Sequence, residues 1–182
     1  MELVEAVKTK AGIDRVQQKL VLNARGNTLY GDVWKFGINT ALRISDLLGI
    51  TLQEAQSGRL KVREGKTGKI RHIELNEAAM AILEARSLPG RVYLFEVDSN
   101  RAKGKPVSRA AVAKAFKDVG DELGIALGTH SMRKTRGWMM HKAGMSIELI
   151  CKVLNHSSPA VTMAYIGLTA QDVADTYGQF VL

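Results

Sequence analysis

Residues 59–75 read RLKVREGKTGKIRHIEL, and their pattern differs from that of the sequence around them. Leu60 and Val62 alternate with charged residues before the central turn GKTG, and Ile73 and Leu75 flank a charged residue after it. Alternation on both sides of a glycine-bounded turn is typical of a β-hairpin. The stretch therefore predicts a small antiparallel sheet.

The segments on either side of this hairpin have a helical pattern. Apolar residues at spacings of three and four predict a helix from Glu2 to Leu48, broken once at Gly26-Asn27. Caps and breakers predict a helix after Asn76, a short strand over 92–95, and helices over 108–123, 131–142, 147–154, 159–165 and 170–180. The sequence thus predicts an α+β fold, mainly α, as a single domain over residues 1–182.

The composition restricts the class of protein further. The 182 residues carry 26 Lys and Arg against 18 Asp and Glu, and the net charge of +8 favours a polyanionic partner, with nucleic acid ahead of membrane. Cys151 is the single cysteine, which excludes an internal disulfide framework. No apolar run approaches the ~20 residues that span a bilayer, and the acidic start lacks a signal-peptide pattern. We expect a soluble cytoplasmic protein that does not bind membranes.

Basic residues are concentrated in three stretches, at 59–71, 101–109 and 133–136. These stretches predict contacts with phosphate groups, and the alternative for each is a solvated surface without a partner. The candidate phosphate-binding side chains are Arg63, Lys69, Arg71, Arg101, Lys103, Lys105, Arg109 and Lys134.

The carboxyl-terminal segment, residues 169–182, has the opposite character. Val173, Tyr177, Phe180 and Val181 share one face of the predicted helix, the other side is acidic, and no Lys or Arg follows position 156. Such a helix is poorly suited to DNA and suits a groove in a protein. The alternative is a helix that packs on the core of its own subunit.

Several enzyme classes lack their sequence patterns here. The turn GKT resembles the end of a P-loop, but Leu60 stands where that loop requires a glycine, and a strand follows instead of a helix. The four histidines have neither metal-ligand spacing nor a cysteine cluster, so we expect no metal site. No Gly-x-Ser-x-Gly motif supports serine hydrolysis.

Two residue pairs have a spacing that suits phosphate chemistry. His130 and Arg133 lie three apart at a predicted helix start, so that one helix face offers a proton-transfer group and a guanidinium to the same phosphate. Arg43 and Asp46 have the same spacing in a largely apolar segment, where Asp46 could hold the arginine. A structural ion pair is the alternative for this second pair.

His156 lies in a predicted loop, and Tyr165 lies nine residues later, near the end of a short helix. Taken alone, such a tyrosine would be structural. Together with the preceding motifs, however, these residues resemble the tyrosine recombinases of the phage integrase family, and the likeness extends over residues 30–182. The matching strings, in order, are TALRISDLL (40–48), GKTGK (65–69), THSMR (129–133), LNHSS (154–158) and YIG (165–167).

This resemblance implies roles for seven residues. Arg43 and Arg133 match the two catalytic arginines of the family, Lys66 matches its hairpin lysine, and Tyr165 matches its nucleophile. His130 and His156 match the two remaining site positions, and Asp46 matches the carboxylate beside the first arginine.

The resemblance also implies the reaction and the partners. The expected activity is site-specific cleavage and rejoining of double-stranded DNA through a 3′-phosphotyrosyl link, without a cofactor. The expected assembly is a homotetramer on paired DNA sites and a monomer without DNA. The expected location is a bacterial cytoplasm, with the nucleoid during the reaction.

Departures from the family pattern are small. Ala41 and Asn155 stand where glycine is usual, and Lys134 replaces a frequent histidine. Most members have an amino-terminal core-binding domain that this sequence does not match, and we expect either a separated catalytic domain or a short stand-alone member. A type IB topoisomerase and a catalytically inactive DNA-binding module are the rival interpretations, and the intact set of candidate catalytic residues counts against the second.

Overall fold

The computed structural model describes residues 4–97, 99 and 104–179. Over these residues the chain forms ten helices and one two-stranded antiparallel sheet, which confirms the predicted α+β, mainly helical class. The elements are α1 (Lys10–Asn23), α2 (Leu29–Thr40), α3 (Ile44–Leu48), α4 (Leu52–Ala55), β1 (Arg59–Arg63), β2 (Ile70–Glu74), α5 (Glu77–Arg86), α6 (Arg109–Leu123), α7 (Ser131–Lys142), α8 (Ile147–Leu154), α9 (Pro159–Ile166) and α10 (Ala170–Gln179).

The predicted hairpin is formed by β1 and β2. Arg63 pairs with Ile70 beside the turn, and Leu60 pairs with Ile73 farther along the ladder. Leu60 is buried in the core, whereas its neighbours in β1 on either side are exposed. One face of β1 therefore packs against the core, and the turn over 65–68 extends beyond the strand.

The amino-terminal part differs from the predicted helix over 2–48 with one break. α1 begins only at Lys10, where the Thr9 hydroxyl accepts a hydrogen bond from the Gly12 N–H at 3.0 Å. A second break follows Thr40, because Ala41 has a left-handed backbone with φ of 53° and ends α2. The periodicity did not show this break, since alanine is a good helix former and not a typical C-cap.

The predicted strand over 92–95 is wrong. In this run Tyr93 forms an isolated bridge to Thr51, and the apolar character of the run comes from burial of Leu94 and Phe95 in the core. The sequence did not predict helix α4, although its N-cap Thr51 forms a capping box with Glu54 that was a readable signal. The helices predicted from residue 108 onwards are confirmed to within one residue, except that position 180 lies outside the described residues.

Two hydrophobic clusters hold α7 beside the rest of the molecule. The larger cluster joins α1, α2, the hairpin, α5 and α6, and the smaller one joins Ala41 to α7, α8 and α9. A Cβ on Gly37 of α2 would lie 2.1 Å from Sδ of Met132, so any larger residue there would force the Met132 side chain to move. The start of α7 is thereby fixed against the end of α2.

No helix among the described residues has both the length and the apolar character needed to cross a membrane.

Candidate active site

Arg43 lies directly after the break at Ala41. It precedes α3 in an extended conformation, with φ of −68° and ψ of 148°. Its guanidinium forms an ion pair with Glu64, with 2.7 Å between Nη1 and Oε2. The expectation that Asp46 holds this arginine is therefore corrected. Because the helix is interrupted, Asp46 faces the hairpin instead and accepts a hydrogen bond from the Gly65 N–H at 3.0 Å.

Arg133 is the most deeply buried of the site cations. Its side chain extends from the first turn of α7, and the residue is only 2% exposed. The guanidinium donates to the carbonyl of Ala41 and, at 2.5 Å, to the carbonyl of Leu154. Since an unpaired buried charge is very costly, these two carbonyls compensate part of the desolvation of Arg133.

The two arginines meet where two helices end in the same backbone conformation. Ala41 and Asn155 both have φ of 53°, which turns the chain sharply after α2 and after α8. These are the two positions at which the family usually has glycine, and the left-handed backbone is the physical reason for that preference. Asparagine tolerates this conformation better than alanine does.

Glu64 connects the hairpin to this pair of helix ends, and the sequence reasoning missed it. Its carboxylate is fully buried and accepts hydrogen bonds from Thr67 at 2.8 Å and from Asn155 at 2.5 Å, besides the ion pair with Arg43. Burial raises the pKa of this carboxyl, but the hydrogen bonds from Thr67, Arg43 and Asn155 outweigh it, so the pKa is lowered overall. The one available signal was that Glu64 is the single acidic residue in the basic stretch 59–71.

Tyr165 lies near the end of α9 with its hydroxyl inside the site. The hydroxyl oxygen is 3.4 Å from Nδ1 of His130, and the ring packs edge-on against His156 with 4.7 Å between centroids. Lys134 places its ammonium 5.4 Å from the centre of the Tyr165 ring. Burial raises the pKa of Tyr165, against the charge of Arg133 and a hydrogen bond with it. The phenol is therefore protonated at neutral pH, and its proton needs an acceptor.

Both site histidines are neutral at pH 7, so each imidazole has a free lone pair, and the lowered pKa makes each a weaker base. Burial and the charges of Arg133 and Arg43 lower the pKa of His156 to about 4. The pKa of His130 is also lowered, by burial and then by neighbouring cations, of which Arg133 is the strongest. Nδ1 of His156 lies 3.0 Å from Oγ1 of Thr162 at the start of α9, which fixes the orientation of the ring.

The shifted pKa of His156 predicts acid sensitivity of the DNA-free protein. Histidine in an unfolded chain titrates near 6.5, so between pH 6.5 and about 4 the unfolded state binds more protons than the folded state. The free energy of unfolding must therefore decrease as the pH falls through this range. We expect His156→Gln to lose less stability than the wild type between pH 7 and pH 5 in urea titrations. His72→Gln, which changes an exposed residue of β2, is the control and should behave like the wild type.

Lys66 is exposed at the hairpin turn, and hydrogen bonds on both sides of it anchor this turn. Gly65 donates to Asp46, Thr67 donates to Glu64, and the Gly68 N–H donates to the Glu64 carbonyl at 2.8 Å. The charge of Lys66 contributes to the lowered pKa of His130. The lysine therefore has an exposed side chain on a turn that hydrogen bonds hold to the site.

The candidate phosphate contacts divide into three groups. Arg63, Lys69, Lys105 and Arg109 are exposed, and Lys134 is half-buried above the tyrosine. Arg101 and Lys103 lie outside the described residues.

Arg71 was expected to contact DNA, but in the structure its side chain is largely buried and connects separate parts of the chain. Its guanidinium donates to the carbonyls of Thr40 and Ala41, and to that of Val153 at 2.8 Å. It also lies 3.5 Å from Glu64. The period-two pattern could not reveal this, because alternate positions of β2 face a cleft beside α8 instead of solvent.

The described residues bring together no group of three or more His, Cys, Asp or Glu that could hold a metal ion. The chemistry available in the cluster is that of guanidinium and ammonium cations, imidazoles and one phenol. Such a set can bind a phosphodiester, supply a nucleophile and move protons to and from it.

The chain is similar to several known recombinases. The chain is 33% identical over 184 residues to the probable integrase/recombinase YoeC of Bacillus subtilis (strain 168), covering 99% of this chain and 98% of that protein. It is 28% identical over 167 residues to the tyrosine recombinase XerA of Pyrococcus furiosus, covering 89% of this chain and 54% of that protein. The chain thus spans nearly all of one relative and about half of the other.

A solved lambda integrase tetramer bound to a Holliday junction has the same fold. The TM-score is 0.68 at 17% identity, over 91% of this chain and 49% of that one.

Fold and site together define a helical enzyme domain of the tyrosine recombinase class. The family model described as "Phage integrase family" matches residues 15–172, and the chain belongs to this family. The predicted family and enzyme class are confirmed, and site-specific DNA recombination is the activity that the family supports. The roles of individual residues stay predictions.

Proposed function

We propose that this protein cleaves and rejoins DNA strands through a covalent bond between Tyr165 and a 3′ phosphate. The observation that carries the proposal is the position of the Tyr165 hydroxyl. It lies 3.4 Å from Nδ1 of His130, and the charge of Arg133 acts on it, all within one subunit.

The proposed reaction begins with attack of the Tyr165 oxygen on phosphorus. His130 takes the phenol proton, and Arg43 and Arg133 donate hydrogen bonds to the two non-bridging oxygens, where negative charge increases. The bond from phosphorus to the 5′ oxygen breaks, and Lys66 gives that oxygen a proton. Attack by the 5′ hydroxyl of another strand reverses these steps, so rejoining needs no cofactor.

Covalent capture tests this proposal without knowledge of the target sequence. The protein is incubated with a pool of random-sequence duplexes, each nicked so that the short leaving strand diffuses away after cleavage. We expect a protein–DNA adduct that survives denaturing electrophoresis, and sequencing of the trapped strands then defines the site. Absence of any adduct while DNA is bound would favour the inactive DNA-binding module.

We propose that the exposed cations Arg63, Lys69, Lys105 and Arg109 contact DNA phosphates. Each phosphate neutralised releases counterions, so log affinity should fall against log salt with a slope of about −0.9 per phosphate. We expect a slope between about −3 and −4 from four such contacts. Titrations of a labelled duplex from 50 to about 300 mM salt measure it. A nearly flat dependence would show that these side chains do not face DNA.

We further propose that residues 1–182 act as one domain, and that four copies assemble on paired DNA sites while the protein without DNA is a monomer. The lambda integrase tetramer on a Holliday junction supports this assembly by analogy.

The side chains of α10 that the structure describes are exposed, as expected of a segment that binds another subunit. They include Gln171, Asp172, Asp175 and Tyr177. Phe180 and Val181, half of its predicted apolar face, lie outside the described residues.

Removal of the tail tests whether it acts between subunits. A chain that ends at Gly167 should remain folded and bind a single DNA site, because α10 follows the last helix of the smaller core cluster. It should lose tetramer assembly and strand exchange in gel-shift and recombination assays. Unfolding of the shortened chain, measured by circular dichroism, would instead make the tail part of its own core.

A further inference from the structure

Glu64 occupies an unusual position for a carboxylate beside a phosphate-binding cluster. It lies at the end of the β1–β2 ladder, where its N–H donates to the Lys69 carbonyl at 2.9 Å and closes the turn that carries Lys66. Its side chain has no exposed surface, so it cannot itself touch DNA in this conformation. Glu64 can therefore affect the reaction only by positioning the side chains that it contacts.

The side chains that contact Oε2 of this carboxylate come from three separate parts of the chain. Arg43 belongs to the break between α2 and α3, Thr67 belongs to the turn beside Lys66, and Asn155 follows α8 and precedes His156. These three side chains reach the same oxygen, Oε2: Arg43 as an ion pair at 2.7 Å, and Thr67 and Asn155 as hydrogen-bond donors at 2.8 and 2.5 Å, while Arg71 donates to Oε1 at 3.5 Å. One buried atom therefore joins the elements that carry the lysine, the first arginine and the second histidine.

We propose that Glu64 is a positioning residue that holds the Lys66 turn in register with Arg43. The inference rests on the proposed function, because it assigns to Glu64 the alignment of the proton donor with the phosphate clamp. The hydroxyl of Thr67 is the link to the turn, and the ion pair with Arg43 is the link to the clamp. Without the carboxylate, the Lys66 ammonium is still present, but the turn no longer holds it beside the leaving 5′ oxygen.

The two links can be separated by substitution. Thr67→Val keeps the shape of the side chain, removes the hydrogen bond to Glu64 and leaves the contact between Glu64 and Arg43 in place. Glu64→Gln keeps the length of the side chain but removes the charge that pairs with Arg43 and Arg71, and it weakens the acceptor for Thr67. Because a displacement of about 1 Å can cost about a hundredfold in rate, we expect losses of about tenfold to a hundredfold for either variant.

The deciding experiment compares single-turnover cleavage of two substrates. One is ordinary nicked duplex DNA, and the other has sulfur in place of the 5′ bridging oxygen, so that the leaving group needs no proton. We expect the sulfur substrate to restore Thr67→Val to the wild-type rate and to recover Glu64→Gln by about tenfold or more. The double variant should be no slower than Glu64→Gln alone, because Glu64→Gln already disrupts the Thr67–Glu64 hydrogen bond that Thr67→Val removes.

Matched controls report on substitution itself. Glu122 accepts hydrogen bonds from Lys19 and Asn23 between α6 and α1, and Thr28 donates to Asp32 at 2.7 Å, both remote from the site. Glu122→Gln and Thr28→Val should cleave both substrates at the wild-type rate. Thermal melts show whether each variant is folded, and Thr67→Val remains decisive if Glu64→Gln does not fold.

Two results would overturn the inference while leaving the proposed function intact. One is wild-type cleavage by Thr67→Val and Glu64→Gln on ordinary DNA. The other is an equal loss on both substrates, which would place Glu64 in the phosphate clamp alone. If the wild-type protein itself forms no adduct, the proposed function fails first, so the two failures are distinguishable.

Discussion

Tyr165→Phe should abolish the covalent protein–DNA adduct and leave DNA binding within about twofold of the wild type. The phenol oxygen is the proposed nucleophile, and phenylalanine has no oxygen to take its place. The ring, its edge contact with His156 and the ammonium of Lys134 above it do not require the hydroxyl. The loss should therefore be confined to chemistry. Denaturing electrophoresis measures the adduct, and a gel shift measures binding.

A second tyrosine substitution controls for the change itself. Tyr30 packs against the larger hydrophobic cluster, remote from the site, and Tyr30→Phe should form the adduct at the wild-type level. An adduct that survives Tyr165→Phe, or a peptide map that places DNA on Tyr177, would refute the assignment. Tyr177 is 83% exposed in α10, so it is the most accessible competitor among the described tyrosines.

The elements that the sequence predicted correctly are those decided by local periodicity and caps. The hairpin followed from alternation around a glycine-bounded turn, and α6 followed from the Ser108 cap and the left-handed Gly124. In both cases the physical cause lies within about fifteen residues of sequence, as the α6 bounds show. Patterns of this length carry the fold class.

The site could be predicted in its members but not in its connections. Motif order identified Arg43 and Tyr165, yet the ion-pair partner of Arg43 was assigned to Asp46 three residues away instead of Glu64 in the hairpin. The error has one origin, the left-handed Ala41, which turns Arg43 out of a continuous helix. Contacts between segments far apart in sequence have no local period, so no pattern could supply them.

The same limit explains Arg71 and Asn155. Arg71 was counted with the exposed cations, but the neighbouring helix ends place three backbone carbonyls around its guanidinium. Asn155 was read as a tolerated replacement of glycine. It also donates to Glu64, a contact that glycine could not make. A departure from a family pattern can thus add a contact as well as a strain.

Lys66→Ala should slow cleavage of ordinary DNA by about 10²- to 10⁴-fold, the range that a positioned general acid contributes. The leaving 5′ oxygen would otherwise depart as an alkoxide, which is a far poorer leaving group at neutral pH. When sulfur replaces that oxygen the leaving group is a stable thiolate, and cleavage by Lys66→Ala should return to near the wild-type rate. Single-turnover rates on the two substrates measure the effect.

Lys69→Ala separates this role from simple charge. Lys69 is also exposed, lies three residues further along the same hairpin and carries the same ammonium, but it is beyond the turn that Glu64 closes. Its removal should weaken DNA binding and lower the salt slope by about 1, with equal effects on both substrates at saturating protein.

If Lys66→Ala instead lost as much activity on the sulfur substrate as on ordinary DNA, Lys66 would be a binding residue like Lys69. The proton for the leaving oxygen would then have to come from another group, and His156 with its lowered pKa is neutral at pH 7 and poorly able to supply one. The ratio of the two rates therefore decides whether the tethered turn carries the acid of this site.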